Sequence, residues 1–318
     1  MNDITVVLGT DRGIVVYRGK GNGGWQQVGY GLAGQAITAL AAWPDDEVIL
    51  AGTRQGVFRS QGDEGNWTPA HAGLSLPHIR ALAAHPRRPG LAYAGTEPAA
   101  VFRTTSAGAQ WEELQTVRTL PGANRWYLPY SPAAGAVRSF ALAGQRIWAA
   151  VEVGGVIRSD DGGDTWRIFT RGVHEDVHWV EIHPHDPEVL FAATGGGLYR
   201  TRDGGQTWDA LGDDYTRAVW IDPDNPRTVL AGPALSIGRL GRIMRSDDSG
   251  DTWEPASEGL RLPMSGMVER FVFSPAQPEE LFALTSRGEV LRARRGAWVW
   301  ERLWPEHTVN ALLVLGGG

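Results

Sequence analysis

Three octets of nearly one sequence, SDDGGDTW at 159–166, TRDGGQTW at 201–208 and SDDSGDTW at 246–253, constrain this chain more than anything else in it. Each reads Ser/Thr-x-Asp-x-Gly-x-Thr-Trp and follows a short β-branched or aromatic run. A tight turn between antiparallel strands needs the positive φ that glycine supplies. Asp accepts hydrogen bonds from turn N–H groups, and Ser or Thr does so more weakly. The Trp covers the turn with apolar area. Recurrence of such a unit at a fixed period implies a stacked or radial array.

Degenerate copies extend the series: GKGNGGW (19–25), SQGDEGNW (60–67), TTSAGAQW (104–111) and ARRGAWVW (293–300). The anchoring tryptophans are Trp25, Trp67, Trp111, Trp166, Trp208, Trp253 and Trp300, spaced by 42, 44, 55, 42, 45 and 47 residues. That spacing is the length of one four-stranded antiparallel blade. Each unit reads strand A, a Pro-containing turn, strand B, strand C, the octet turn and strand D. Strands A and B are apolar on both faces, as strands sandwiched between neighbouring blades are. The chain opens on a strand B at 4–10 and closes on an orphan strand A at 308–315. Their pairing would complete the first blade, close the ring and remove exposed edges. The expectation is an all-β closed seven-bladed β-propeller occupying 1–318 as one domain.

The octets resemble the Asp-box (BNR) repeat of β-propeller proteins. Among Asp-box families the chain is similar to sialidases in the octets alone, because it has seven units where they have six and lacks their Phe/Tyr-Arg-Ile-Pro motif. Sialidase roles therefore do not transfer. It resembles xyloglucan-degrading glycosidases in blade count, although their cleft lies between two propellers. It resembles the photosystem II assembly factors in size and blade number. The glycosidase resemblance implies a carbohydrate-active enzyme; the assembly-factor resemblance implies a non-catalytic protein binder with an arginine-rich face.

Composition excludes several classes. The 318 residues carry a net charge of −6 and no basic block, so nucleic-acid binding has no electrostatic footprint. No apolar run reaches about 18 residues, which argues against a membrane span. No signal peptide is read at the start. The absence of cysteine excludes disulfides and fits a cytoplasmic, bacterial-type protein. Lys20 stands alone against 29 arginines, which reads as codon bias.

Propeller topology puts the D–A and B–C loops on one face and the octets on the other. Ligands usually bind at the central funnel of the loop face. Aligned strands A give a polar column at its mouth: Thr38, Arg80, Arg138, His178, Arg217, Glu269 and Asn310. Two residues upstream stand His78, Asp176 and Tyr215, and the B–C loops add Glu97, Glu152, Arg239 and Arg287. Converging arginines repel unless carboxylates or an anionic ligand compensate. The ligand-binding set is Arg80, Arg138, Arg217, His78, Glu269 and Asn310. The 55-residue spacing places an insertion, TLPGANRWYLPYSPAAGA at 119–136, on the same face. Trp126 and Tyr127 on this stiff loop read as a lid or a sugar-stacking platform. The hairpin at 233–242 is a second long loop there.

Glu152 and Asp176, approaching from adjacent blades, form the candidate acid/base pair of a glycosidase. His178 and Tyr215 are the alternatives for proton abstraction in a lyase. The functional expectation is a propeller acting on an anionic or polyhydroxyl ligand, as a glycoside hydrolase or polysaccharide lyase. The alternative is a scaffold for a protein partner. No cofactor or metal is expected. His174-Glu175-Asp176-Val177-His178 matches H-E-x-x-H, but in a strand the two His lie about 13 Å apart. Gly19-x-Gly21-x-x-Gly24 is a turn with no helix after it. Arg59, Arg158, Arg200 and Arg245 recur with the blade and read as structural, and His183 and His185 belong to the opposite face.

Overall fold

The computed structural model describes residues 4–19, 24–43, 48–61, 65–128, 130, 135–275 and 277–316. Parts of the degenerate octets at 19–25 and 60–67, and of the 119–136 insertion, lie outside the described residues.

Seven antiparallel sheets form among the described residues. Blade 1 orders its strands Val309–Gly316, Ile4–Thr10, Gly13–Gly19 and Trp25–Gly31. Blade 2 has Ile37–Ala42, Val48–Thr53, Gly56–Gln61 and Trp67–Pro69. Blade 3 has Ile79–Ala84, Ala92–Thr96, Val101–Thr104 and Glu112–Glu113. Blade 4 has Ala136–Ala143, Arg146–Glu152, Gly155–Ser159 and Arg167–Phe169. Blade 5 has Val177–Ile182, Leu190–Thr194, Gly197–Thr201 and Asp209–Gly212. Blade 6 has Tyr215–Ile221, Val229–Ser236, Met244–Ser246 and Glu254–Pro255, and a short strand Arg239–Gly241 pairs with its second strand. Blade 7 has Val268–Phe273, Glu280–Thr285, Val290–Arg294 and Trp300–Leu303.

Strand A of each blade touches strand A of the next, and blade 7 returns to blade 1. The last strand pairs with the first from Ile4↔Gly316 to Thr10↔Val309, so the ring closes on its own termini. The chain is a closed seven-bladed β-propeller. Its core sits between blades, as where Val7, Ile14 and Ala311 of blade 1 meet Ile37 and Ile49 of blade 2.

The octets hold the outer turns in one repeated way. Asp161 accepts from Thr165 N–H (2.9 Å), Thr165 Oγ1 (2.6 Å) and Ser159 Oγ (2.8 Å). Asp203 and Asp248 accept from the same octet positions. The fifth octet residue is Gly163, Gly205 or Gly250, at φ of 104°, 97° and 95°, where a Cβ is strained. Each octet also receives an arginine from the preceding blade. Arg103 donates to Gly162 O (3.0 Å), Arg158 to Gly204 O (2.7 Å) and Arg200 to Ser249 O (2.5 Å). Arg103, Arg158 and Arg200 thus clasp neighbouring blades together, while Arg245 pairs with Asp247 and Glu254 of its own blade.

Candidate functional site

In all seven blades the innermost strand bulges at one place. Ile37 pairs with Thr53 and Ala39 with Gly52, so Thr38 faces no partner. The same skip falls on Arg80, Arg138, His178, Glu269 and Asn310. In blade 6, Arg217 and Ala218 together oppose Gly232. A bulge re-aims the side chain of its extra residue. The seven bulged residues are the polar column, and all of them line one cavity of about 510 Å³ at the channel mouth. Glycine opposite the bulge lets blades close tightly there. A Cβ on Gly52 would stand 2.6 Å from Ile79 Cγ2 of the next blade.

Six arginines wall this cavity, Arg54, Arg80, Arg138, Arg217, Arg270 and Arg287, against two carboxylates, Asp11 and Glu269. Three of the six are paired. Arg80 meets Glu97 (3.1 Å) and Glu152 (4.0 Å), Arg138 meets Glu152 (3.1 Å), and Arg217 meets Glu269 (2.6 Å). Burial and the neighbouring Arg138 lower the pKa of Arg80, against the pull of Glu97 and Glu152. The guanidiniums of Arg54, Arg270 and Arg287 have no hydrogen-bond or ion-pair partner among the described residues. His78 is half-buried beside Glu97. Burial, then Arg80 and Arg54, push its pKa down to about 4.

A second chain of contacts runs through blades 5 and 6. Arg217 donates to the Tyr215 hydroxyl from Nε (3.1 Å) and from its terminal nitrogen (3.0 Å). Both phenol lone pairs are then used, so its proton points to His178 Nε2, 2.8 Å away. That assigns the neutral His178 proton to Nδ1, a buried atom without a partner among the described residues. Asp176 Oδ2 lies 3.4 Å from His178 Nε2. Burial drives the His178 pKa down, and Arg138 and Arg217 add to this against Asp176. Burial likewise raises the Tyr215 pKa, against Arg217.

The structure therefore brings Glu152, Asp176 and His178 together, with donor atoms within 4.8 Å of one another. Three such donors match a metal's ligand chemistry, but Arg138 already holds Glu152 and the surrounding guanidiniums repel a divalent cation. The two carboxylates are closer than the roughly 6.5–9.5 Å of an inverting pair, which holds a water between them, and nearer the roughly 5–5.5 Å of a retaining pair. Glu152 is buried behind Arg80 and Arg138 and is absent from the cavity wall. Its geometry is that of a counter-ion.

The insertion departs from the expected lid. Trp126 is buried among Tyr93, Val137 and Val151 in the core between blades 3 and 4, because the following glycines open room for its indole. Tyr127 is exposed. Tyr130, also exposed, is the loop aromatic that couples electrostatically to Arg80, Glu152, Glu97 and Arg138. No spacing or motif singled it out from Tyr127. Opposite, the blade 6 hairpin exposes Leu235, Ile237 and Leu240. Its turn is tied to the cavity rim by Ser286 Oγ, which donates to Gly238 O (2.7 Å).

The missed residues of the site are Arg54, Arg270 and Trp179. Arg54 sits in a B–C turn and was legible from topology. Arg270 and Trp179 each follow a bulged residue, where the strand pattern alone predicts an apolar side chain.

No family profile and no curated protein matches the chain. Solved structures do. A GH74 xyloglucanase from Xanthomonas campestris is 18% identical with a TM-score of 0.67, over 98% of this chain and 54% of its own. The chain thus spans about half the length of that enzyme. YCF48 bound to a D1 peptide is 17% identical, with a TM-score of 0.65 over 90% of this chain and 88% of its own. YCF48 from Cyanidioschyzon merolae is 16% identical, with a TM-score of 0.64 over 92% and 96%. These likenesses establish the seven-bladed fold.

Proposed function

We propose that the protein binds a ligand bearing carboxylate or phosphate groups at the mouth of its channel, and binds it without turnover. One observation carries this reading: six arginines wall a single cavity, and only three of them have a carboxylate partner. Guanidinium forks match planar and tetrahedral anions by bidentate hydrogen bonds. Against a net charge of −6 for the chain, the mouth is a local sink for anions. Arg80, Arg138 and Arg217 hold the ligand, with His78, Glu269 and Asn310 on the rim. The similar proteins are a xyloglucanase and a peptide-bound YCF48, so a glycan and a polypeptide are both reasonable carriers of the anionic group.

The test is calorimetric titration with citrate, tri-galacturonate and an acidic peptide. Arg138→Ala should weaken binding by about tenfold or more, the worth of a charge-assisted hydrogen bond. Glu152→Gln should tighten it, because the amide releases Arg138 from its carboxylate while Arg80 keeps Glu97. Binding indifferent to Arg138, or loosened by Glu152→Gln, sinks the proposal.

A lyase reading has one observation in its favour: the relay from Arg217 through Tyr215 to a neutral His178. In that reading Arg138 neutralises a uronate carboxylate and His178, through Tyr215, takes the proton beside it. Release of an unsaturated uronate product, lost in Tyr215→Phe, would establish it over simple binding.

A further inference from the structure

Arg270 is the anomaly of the cavity. It follows the bulged Glu269 in strand Val268–Phe273 and lines the mouth together with Trp179 of blade 5. Its guanidinium carbon stands 5.9 Å from the Trp179 ring centre. Its Nε is buried, and the side chain makes no hydrogen bond or ion pair among the described residues. Arg54 and Arg287, equally unpaired, sit exposed at the rim where water solvates them. Arg270 is half-buried: its Nε is enclosed, and only its terminal nitrogens open to the cavity. Burial pushes its pKa down to about 10, with Arg138 and Arg80 adding to the fall and Glu269 opposing it. Glu269 is already committed to Arg217.

A carboxylate does stand below, and it is spoken for. Glu181, two residues along from Trp179, accepts from the Trp179 indole N–H (2.9 Å) and from the Ile221 backbone N–H. Burial lifts its pKa to about 7, against those two hydrogen bonds. The indole is thereby locked in place beside Arg270. Glu181 and Arg270 form no ion pair among the described residues. A half-buried guanidinium that opens to a cavity and has no counter-charge among the described residues favours an anion arriving from that cavity.

We propose that Arg270 is the receptor for a second anionic group of the ligand, bound inward of the Arg80–Arg138 pair and against the Trp179 ring. The ligand is then a polyanion with at least two carboxylate or phosphate groups, one for the rim and one for Arg270. This rests on the anion-binding reading of the mouth and adds valence and direction of entry to it. The charged groups of an oligouronate, an acidic peptide or a polyphosphate share this chemistry.

Calorimetric titration of the full chain with acetate, citrate, phosphate and tripolyphosphate tests it. The polyanions should bind at least about tenfold more tightly than their single-group counterparts. Arg270→Gln should erase that advantage, weakening citrate and tripolyphosphate more than acetate and phosphate, whereas Arg138→Ala should weaken all four. The citrate and tripolyphosphate arms separate carboxylate from phosphate as the preferred group. Melting temperature gives a second readout. Arg270→Met removes a half-buried charge that has no counter-ion among the described residues, so it should melt no lower than the parent and gain less from citrate. A polyanion advantage that survives Arg270→Gln overturns this inference and leaves the mouth reading standing. Failure of all four probes to bind overturns both.

Discussion

The two faces of the ring solve the same problem, a polar group close to a packed sheet, in opposite ways. On the octet face the third-position Asp of each octet is satisfied within eight consecutive residues, by the same donors three times over. On the channel side the polar groups come from seven blades, differ in type, and leave three guanidiniums without a partner among the described residues. The octets are repeat; the mouth is departure from repeat. A ring of identical blades would put seven identical side chains at the bulge. Here the bulge holds Thr, three Arg, His, Glu and Asn. Geometry is shared and chemistry is not, which is how a repeat protein makes one site from many equal positions.

Breaking the ring tests the shared geometry and carries the largest expected effect. Deleting 306–318 removes strand Val309–Gly316, whose Val309, Leu312 and Val314 are buried. Those three side chains alone account for roughly 5–9 kcal/mol of apolar burial. That is comparable to the whole stability of an ordinary domain, about 5–15 kcal/mol. The truncated chain should lose its cooperative melt, followed by near-ultraviolet circular dichroism. Melting like the parent's would mean that the terminal pairing is dispensable and the ring argument wrong.

A smaller loss is expected on the octet face. Asp203→Ala removes the acceptor for Thr207 and Thr201 and should cost about 1–2 kcal/mol without changing anion affinity. Acid separates the faces further. Slight burial opposes ionisation of Asp161, but hydrogen bonds from Thr165 and Ser159 outweigh it and bring its pKa down to about 2. Asp203 is lowered in the same way. A lowered native pKa means that the unfolded chain binds more protons, so stability rises with pH in that window. The octet contribution is complete above about pH 4, the ordinary carboxylate value, and fades as pH falls toward 2. Denaturant melts of Asp203→Ala should therefore show a shallower acid slope than the parent. Equal slopes, or altered ligand affinity, would assign this carboxylate another role.

The difference between the faces also decides what could be read from sequence. The octets repeat locally, so seven anchors and their spacing located every blade and the closing strand. The polar column was legible because strand A is apolar elsewhere, and a polar residue in register seven times has to face something other than a neighbouring blade. What the sequence could not show is which charges cancel. That Glu152 lies behind Arg80 and Arg138, and that Arg270 has no counter-ion, depends on side chains meeting across blades. Trp126 was misleading for the same reason. An aromatic on a long loop reads as a lid, but the small residues Gly135 and Gly154 give it a slot between blades.

Within that loop the comparison can be sharpened at the scale of one side chain. Tyr127 and Tyr130 are both exposed, yet Tyr130 alone couples to the arginine and carboxylate cluster. Burial raises its pKa, while Arg80 and Arg138 work against the two carboxylates that raise it further. A phenol hydroxyl in that position can donate to a ligand carboxylate held by Arg80. Tyr130→Phe should weaken citrate binding by a few-fold, about 0.5–1.5 kcal/mol for one hydrogen bond in partly exposed surroundings. Tyr127→Phe should leave it unchanged. Its neighbours Trp126 and Leu128 are buried and fix the backbone on both sides of Tyr127, so Tyr127→Phe should not move the melting temperature either. Equal effects from the two tyrosines would mean that the loop contributes general cover and that Tyr130 has no place in the site.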